Sequence, residues 1–260
     1  MKIGIVGCGN LGLSILNGIV NESPNNQIYA SRRNIDSIRS LASDTVKITT
    51  DNSELIKNSN IIILALKPYN ILPFIKEHNE LFKSSQHTIV SVATGIVIEE
   101  IKNEMTENVG VYRAMPNTAT SVNESMTAIS GSKDVLNRSV EVSSIFETLG
   151  EVVVIDESLM DAATILGACG VAYVLRFMRA MIQGGIQVGF DAKTATKIVS
   201  QTMKGASELI IQNGTHPEEE IDKVTTPKGC TIIGLNEMEH AGFSSALIKG
   251  IVTSYEKIES

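Results

Sequence analysis

Lys2-Ile3-Gly4-Ile5-Val6-Gly7-Cys8-Gly9-Asn10-Leu11-Gly12 is the stretch that decides the fold. Lys2 to Val6 reads as a buried strand. It runs straight into a GxGxxG loop built on Gly7, Gly9 and Gly12. From Leu11 to Val20 the apolar residues recur at helical spacing, with Leu11, Ile15, Leu16 and Ile19 on one face. Strand, glycine loop and helix in that order form a dinucleotide cradle. The glycines allow a tight turn and close backbone approach, and the helix N-terminus offers free N–H groups to a pyrophosphate. A glycine-rich turn without a ligand is the plainer alternative.

The same alternation continues outward. Gln27–Ser31 reads as a strand, Ile35–Leu41 as a helix and Val46–Thr49 as a short strand. Asn60–Leu66 is apolar from Ile61 onward, as a parallel strand covered on both faces should be. His87–Val92, Gly110–Arg113, Met126–Ser130 and Val152–Ile155 follow as strands, the last two around a helix over Asp134–Leu149. Such alternation predicts βαβ units and a parallel sheet. Beyond Asp156 the strand signal vanishes. Helices are expected over Ala162–Val188, Ala192–Gln212, Thr231–His240 and Ser244–Ile258, with chain breaks at His216-Pro217 and Thr226-Pro227. The first of these is apolar on more than one face and needs cover from elsewhere. The expected fold is α/β: a Rossmann-type doubly wound sheet over residues 1–157, then an all-α dimerisation and substrate-binding domain over 158–260.

Composition narrows the function. Over 260 residues the net charge is −7, Trp is absent and aromatics are 4%. An acidic surface with few stacking rings excludes nucleic acid and anionic membranes as expected partners. Cys8, Cys169 and Cys230 are odd in number and carry no CxxC, so neither a metal site nor a disulfide framework is expected. Free thiols, a first strand that leaves no room for a signal peptide, and no apolar run of membrane-spanning length together predict a soluble cytoplasmic protein.

The second strand selects the cofactor. Tyr29-Ala30-Ser31-Arg32-Arg33-Asn34 has no acid where NAD-binding chains place one for the ribose 2′-OH. The hydroxyl and two guanidinium groups suit a 2′-phosphate instead. NADPH is therefore the expected cofactor, with NADH weaker; an ordinary exposed Arg pair is the alternative. Ala65-Leu66-Lys67-Pro68 and Ala93-Thr94-Gly95 end two further strands on the edge where ligands of open α/β sheets bind.

Arg113-Ala114-Met115-Pro116-Asn117-Thr118-Ala119 ends another strand. With the glycine loop and the Leu66-Lys67-Pro68 loop, it closely resembles pyrroline-5-carboxylate reductase. Gly167-Ala168-Cys169-Gly170-Val171-Ala172-Tyr173 looks like that family's GSGPAY stretch. Val224-Thr225-Thr226-Pro227-Lys228-Gly229-Cys230-Thr231-Ile232-Ile233-Gly234-Leu235 looks like its signature, near VTSPGGTTIxGL, and Met238–Phe243 resembles its LExxGF. The resemblance is collinear from residue 1 to about residue 258. It implies that Asn10 and Leu11 line the pyrophosphate, that Ser31, Arg32 and Asn52 surround the 2′-phosphate, and that Ala65, Lys67 and Pro68 flank the cofactor. Met115, Pro116 and Asn117 would sit near the nicotinamide. Val224, Thr226, Gly229, Cys230 and Thr231 would form the substrate loop, joined by Asn117. In the family this loop packs against a partner subunit, and the enzymes are dimers or rings of dimers.

Four positions depart from the family pattern: Lys228 stands for a glycine, Cys230 for a small residue or Thr, Val171 for Pro and Cys169 for Ser. Lys228 matters most. If that position needs positive φ, a lysine there is strained by about 1 kcal/mol.

The implied chemistry asks little of the protein. A cyclic iminium is already electrophilic at C5, and no nucleophile, base or metal cluster stands out in the sequence. The Thr231 hydroxyl is expected to hydrogen-bond the ring nitrogen, and backbone N–H groups from Thr226 to Thr231 to hold the carboxylate. Capping of its own helix is the plainer role for Thr231. A β-hydroxyacid dehydrogenase would carry Lys in the long helix, where residues 172–188 have Arg176 and Arg179 only. A reductase of another cyclic imine and a non-catalytic paralogue are the remaining alternatives.

Overall fold

The computed structural model describes residues 1–132 and 138–259. It divides into two compact units, Met1–Val171 and Ala172–Ser260. The first is built on one eight-stranded sheet of order β3-β2-β1-β4-β5-β6-β7-β8. The strands are β1 Lys2–Val6, β2 Gln27–Ser31, β3 Val46–Thr49, β4 Ile61–Leu64, β5 Thr88–Ser91, β6 Gly110–Met115, β7 Ser125–Gly131 and β8 Gly150–Val154. All neighbours are parallel except β6 and β7. The parallel sheet expected from the alternation is interrupted at this one pair. Only Pro116–Glu124 separates those two strands, too short for a right-handed crossover, so the chain must return as a hairpin.

Helices α1 (Asn10–Glu22), α2 (Asn52–Lys57), α3 (Pro68–His78), α4 (Ile98–Asn103) and α5 (Ser139–Glu147) cover the two faces. The period of two in the strands sorts their side chains. Ile3, Ile5, Ile61 and Ile63 face a core shared with Ile15, Leu16 and Ile19 of α1 and Ile145 and Phe146 of α5. Val6, Ile62 and Leu64 face the other core, with Leu55 of α2, Ile71 and Ile75 of α3 and Ile101 of α4. The central strands β1, β4, β5 and β6 are thus buried on both sides, which is why Ile61–Leu64 shows no alternation.

The helix expected over Ile35–Leu41 is only a 3₁₀ turn, Arg39–Leu41. Asn34 Oδ1 accepts the Asp36 N–H at 2.9 Å, and short polar residues there compete for the backbone. Of the helix expected over Asp134–Leu149, residues 134–137 lie outside the described residues; α5 covers Ser139–Glu147. The break at His216-Pro217 falls between two helices, and Pro217 opens the second, Pro217–Lys223, where its missing N–H is harmless and His216 caps the turn.

The chain then runs through α6 (Met160–Ala163), a π turn (Thr164–Cys169) and α7 (Gly170–Gln187). Thr164 Oγ1 donates back to Met160 O at 2.8 Å, a bond that loosens the regular ladder where the wider turn begins. Arg113 of β6, only 2% exposed, pairs with Glu157 at 3.2 Å and faces Asp161 at 3.6 Å. This ties the start of the helical run to the sheet.

The run Glu157–Gln187 has a window of mean hydropathy 1.6 and meets the length and composition of a membrane span. That corrects the expectation that no apolar run reaches such a length. Alanines and glycines dilute the sequence to the eye while keeping it apolar on average.

The second unit is helical throughout its described residues: the end of α7, α8 (Ala192–Asn213), α9 (Pro217–Lys223), α10 (Cys230–His240) and α11 (Phe243–Glu259). Gly185 of α7 lies against Ala195 of α8. Phe177 meets Phe243 with ring centroids 5.6 Å apart, and Tyr173 donates to Ser254 at 2.8 Å. Val174, Ile186, Ile211, Ile248 and Val252 remain exposed, so this unit keeps apolar surface for cover by something outside the chain.

Candidate functional site

The site of the first unit is assembled by register. Val6 of β1 pairs with Ser31 of β2 on one side and Leu64 of β4 on the other, so Gly7, Arg32 and Ala65 leave the sheet side by side. Strand order reverses at β1, between β2 and β4, which is where such sheets bind ligands. Gly7 has φ +91, and its N–H donates to Ser31 O at 3.0 Å. A Cβ on Gly7 would lie 2.6 Å from Ala65 O, and one on Gly12 2.5 Å from Gly7 O. Neither position tolerates a side chain. Gly9 differs: nothing lies within 4 Å of where its Cβ would be, and it serves as the N-cap of α1 with no side chain to spend on the first N–H groups. Asn10 and Gly9 are exposed and Leu11 half-buried. The loop is therefore packed from below and open above, which fits a pyrophosphate approaching the start of α1.

Cys8 sits in this loop but points into the core. Burial pushes its thiol up to about 12, against a small opposing influence of Arg32. It stays a neutral thiol, which puts no thiolate charge beside a bound phosphate.

At the end of β2, Ser31 donates to Asn52 Oδ1 at 2.7 Å. That bond ties β2 to the first turn of α2 and leaves the Asn52 amide hydrogens to donate elsewhere. Arg32 and Arg33 are exposed, and Arg32 donates to Ser37 at 2.9 Å. No carboxylate occupies the strand end. Asp51 is spent as the N-cap of α2, accepting the Ser53 and Glu54 N–H groups, and Asp36 pairs with Arg39 at 3.6 Å. The donor set fits a 2′-phosphate and lacks the acceptor a free 2′-OH would want.

The remaining strands end on the same edge. Lys67 is exposed at the N-cap of α3 and Pro68 opens that helix. Ala93 is buried and Gly95, at φ +78, is exposed after β5. Met115 ends β6, and Thr94 Oγ1 lies 3.9 Å from its sulfur. Asn117 is 9% exposed and heavily engaged. Its N–H donates to Ser125 Oγ at 3.0 Å, its Oδ1 accepts the Ala119 N–H at 2.9 Å, and its Nδ2 donates to Gly167 O at 3.0 Å. Gly167 lies in the π turn. Asn117 thus clamps the loop after β6 to the one irregular turn of the long helix. Neither Ser125 nor Gly167 carried a sequence signal for this role. All the cofactor residues read from the sequence fall in the first unit.

The substrate-loop residues fall in the second. Val224, 62% exposed, ends α9. The Thr225 hydroxyl donates to Ile221 O at 2.7 Å. Gly229 N–H then donates to Thr226 O at 2.9 Å, closing a turn over Pro227 and Lys228. Lys228 has φ +63. Proline at the second position and positive φ at the third make a type II turn, whose third position favours glycine. A Cβ on Gly229 would lie 2.6 Å from Thr226 Oγ1 and 3.0 Å from Thr226 O, so a side chain there would crowd the turn. Gly229 is the N-cap of α10, Cys230 is exposed in its first turn, and Thr231 follows half-buried. The loop delivers uncapped N–H groups and the Thr231 hydroxyl at one helix start, an arrangement that can hold a small carboxylate.

The model for pyrroline-5-carboxylate reductase dimerisation matches residues 157–260, and that for the NADP oxidoreductase, coenzyme F420-dependent, matches residues 2–95. Pyrroline-5-carboxylate reductase 1 of Dictyostelium discoideum is 42% identical over 99% of this chain, which spans about half, 49%, of that relative's length. Pyrroline-5-carboxylate reductase 2 of the same organism is 41% identical, over 98% of this chain and 91% of its own. Among solved structures, pyrroline carboxylate reductase of Plasmodium falciparum with NADP bound has a TM-score of 0.86 at 24% identity, covering 99% of this chain and 97% of that one.

Proposed function

The chain belongs to the pyrroline-5-carboxylate reductase family, and from that membership we propose that it reduces 1-pyrroline-5-carboxylate to proline with NADPH. The observation that carries the cofactor half is the strand end where Ser31, Asn52 and Arg32 offer donors and no carboxylate stands. NADPH supplies the hydride that the C5 carbon of the ring accepts. The protein's own work is binding and orientation. Backbone N–H groups of Gly9 to Gly12 hold the pyrophosphate; Ser31, Arg32, Arg33 and Asn52 hold the 2′-phosphate; Lys67, Pro68, Ala93, Gly95 and Met115 to Asn117 line the rest of the cofactor. Thr231 hydrogen-bonds the ring nitrogen, and the first N–H groups of α10 hold the substrate carboxylate. An iminium substrate brings its own proton, so no side-chain base is needed.

A homodimer, and a ring of dimers above it, belongs to the same reading. Support comes from the apolar helical surface of the second unit and the dimerisation family it matches. No nucleic acid or membrane takes part, and the site of action is the cytosol, in keeping with three unpaired cysteines. The test is loss of NADPH absorbance with purified protein and 1-pyrroline-5-carboxylate, repeated with NADH and with a six-membered cyclic imine. Fast oxidation with the five-membered imine and proline as product is expected. NADPH binding without turnover of that imine would refute the reading.

A further inference from the structure

Lys228 occupies a position that works against lysine twice. Its φ of +63 is the left-handed conformation, which a β-carbon disfavours. Its cationic side chain also branches two residues before the first turn of α10, whose N-terminus repels positive charge. The preceding helix, α9, carries Glu218, Glu219, Glu220 and Asp222; its Glu220 carboxylate is held by Lys223 and Thr215, both at 2.6 Å, and none of the four pairs with Lys228. Among the described residues Lys228 has no ion-pair partner. Glycine or asparagine would relieve the turn, and any neutral residue would relieve the helix. A doubly disfavoured charge at a binding loop points to a ligand that needs it.

We propose that Lys228 is a specificity-determining residue whose ammonium pairs with the carboxylate of the imino acid held by the Gly229–Thr231 N–H groups. This rests on the reductase reading above and deepens it. The lysine supplies the counter-charge that neutral backbone donors lack, so it selects anionic ring acids over neutral cyclic imines of the same ring size. Pro227 before it and Gly229 after it hold the turn closed, so the strained backbone is imposed by its neighbours and the side chain is kept outward and free.

Three variants separate charge from strain. Lys228→Gly removes both, Lys228→Met removes only the charge, and Lys228→Arg keeps both. Lys228→Gly should raise Tm by about 1–4 °C. Lys228→Met should leave Tm within about 1 °C. Both should raise KM for 1-pyrroline-5-carboxylate roughly two- to fivefold, the range of an exposed ion pair, with kcat and KM for NADPH unchanged. Lys228→Arg should restore KM. The dissociation constant for L-proline, measured calorimetrically, should weaken by the same factor in both neutral variants. Added salt should raise the wild-type KM and leave that of Lys228→Met flat. An unchanged KM and unchanged proline affinity in both neutral variants, with wild-type turnover intact, would overturn the assignment and leave Lys228 a merely tolerated residue. Absence of wild-type turnover would instead overturn the reductase reading beneath it.

Discussion

Alanine at Gly12 puts a methyl group where the nucleotide loop already has backbone. The added carbon would lie 2.5 Å from Gly7 O, 3.2 Å from Gly7 C and 3.3 Å from the Ala65 methyl. Ordinary contact begins near 3.4 Å, so the Gly7 peptide must retreat by about 0.9 Å. It cannot do so freely: Gly7 N–H is bonded to Ser31 O at 3.0 Å, and Ala65 N–H to Val6 O at 2.8 Å. Overpacking of this kind costs roughly 1–3 kcal/mol. Because the displaced atoms form the floor of the cradle, both stability and cofactor affinity should fall. Divided evenly between them, a Tm loss of about 1–6 °C should accompany a rise in NADPH dissociation constant of about two- to tenfold. Gly9→Ala is the matched control. Its methyl meets nothing within 4 Å and its φ of −78 suits alanine, so Tm should move by no more than about 2 °C. The space it fills is the space assigned to the pyrophosphate, so NADPH affinity should still drop at least tenfold. Thermal unfolding and fluorescence titration with NADPH measure the two quantities. Unchanged NADPH affinity in Gly9→Ala would refute the placement of the pyrophosphate, whatever Gly12→Ala does.

Arg32→Ala should weaken NADPH far more than NADH; equal losses would remove the 2′-phosphate from Arg32. Asn117→Ala leaves the Ala119 N–H and the Gly167 carbonyl without their partner and should cost about 1–2 kcal/mol. Asn117→Asp, which keeps the acceptor and loses the donor, should fall between, and a Tm equal to wild type in both would show that the clamp contributes nothing. His87 Nδ1 accepts the Lys83 N–H at 2.8 Å and its Nε2 faces Ile56 O at 3.2 Å, a pairing that only the neutral ring with hydrogen on Nε2 satisfies. Burial first, then the charges of Arg138 and Lys83, hold its pKa below the ordinary value of about 6.5. The unfolded chain therefore takes up the proton first. The stability His87 contributes is complete above pH ~6.5 and is lost as pH falls below it. His87→Gln should flatten the Tm profile between pH 7 and 5, and an equally steep profile in the variant would assign the acid sensitivity to other groups.

Much of this molecule was readable because its signals are local. The strand Lys2–Val6, the glycine loop and α1 are neighbours in sequence, and their order alone places free N–H groups at a helix start. Ile61–Leu66 showed by its unbroken apolarity that it lies inside the sheet. The break before α10 was marked by Thr226-Pro227, and Lys228 stood out there against the family's glycine as a residue that positive φ would strain. Where local signals competed, the reading failed. Ile35–Leu41 has helical spacing, but Asn34 and its polar neighbours captured the backbone first. The helices α2, α3 and α4 were missed because each is only 6 to 11 residues long and is held by the core it covers rather than by a long period.

The strand–loop–helix cradle, the missing acid after β2 and the change from mixed to helical structure near residue 156 could be read along the chain, because propensity and spacing among close neighbours suffice; the loop before α10 was legible through its resemblance to a family signature. Folding in three dimensions was needed to show that β7 runs antiparallel, that Arg113 pins Glu157 and Asp161 to the sheet, and that Asn117 reaches fifty residues along the chain to a carbonyl in the π turn. Those outcomes depend on which distant groups meet once the sheet has closed. A buried donor takes whatever acceptor packing brings within reach, and no spacing in the sequence records that choice.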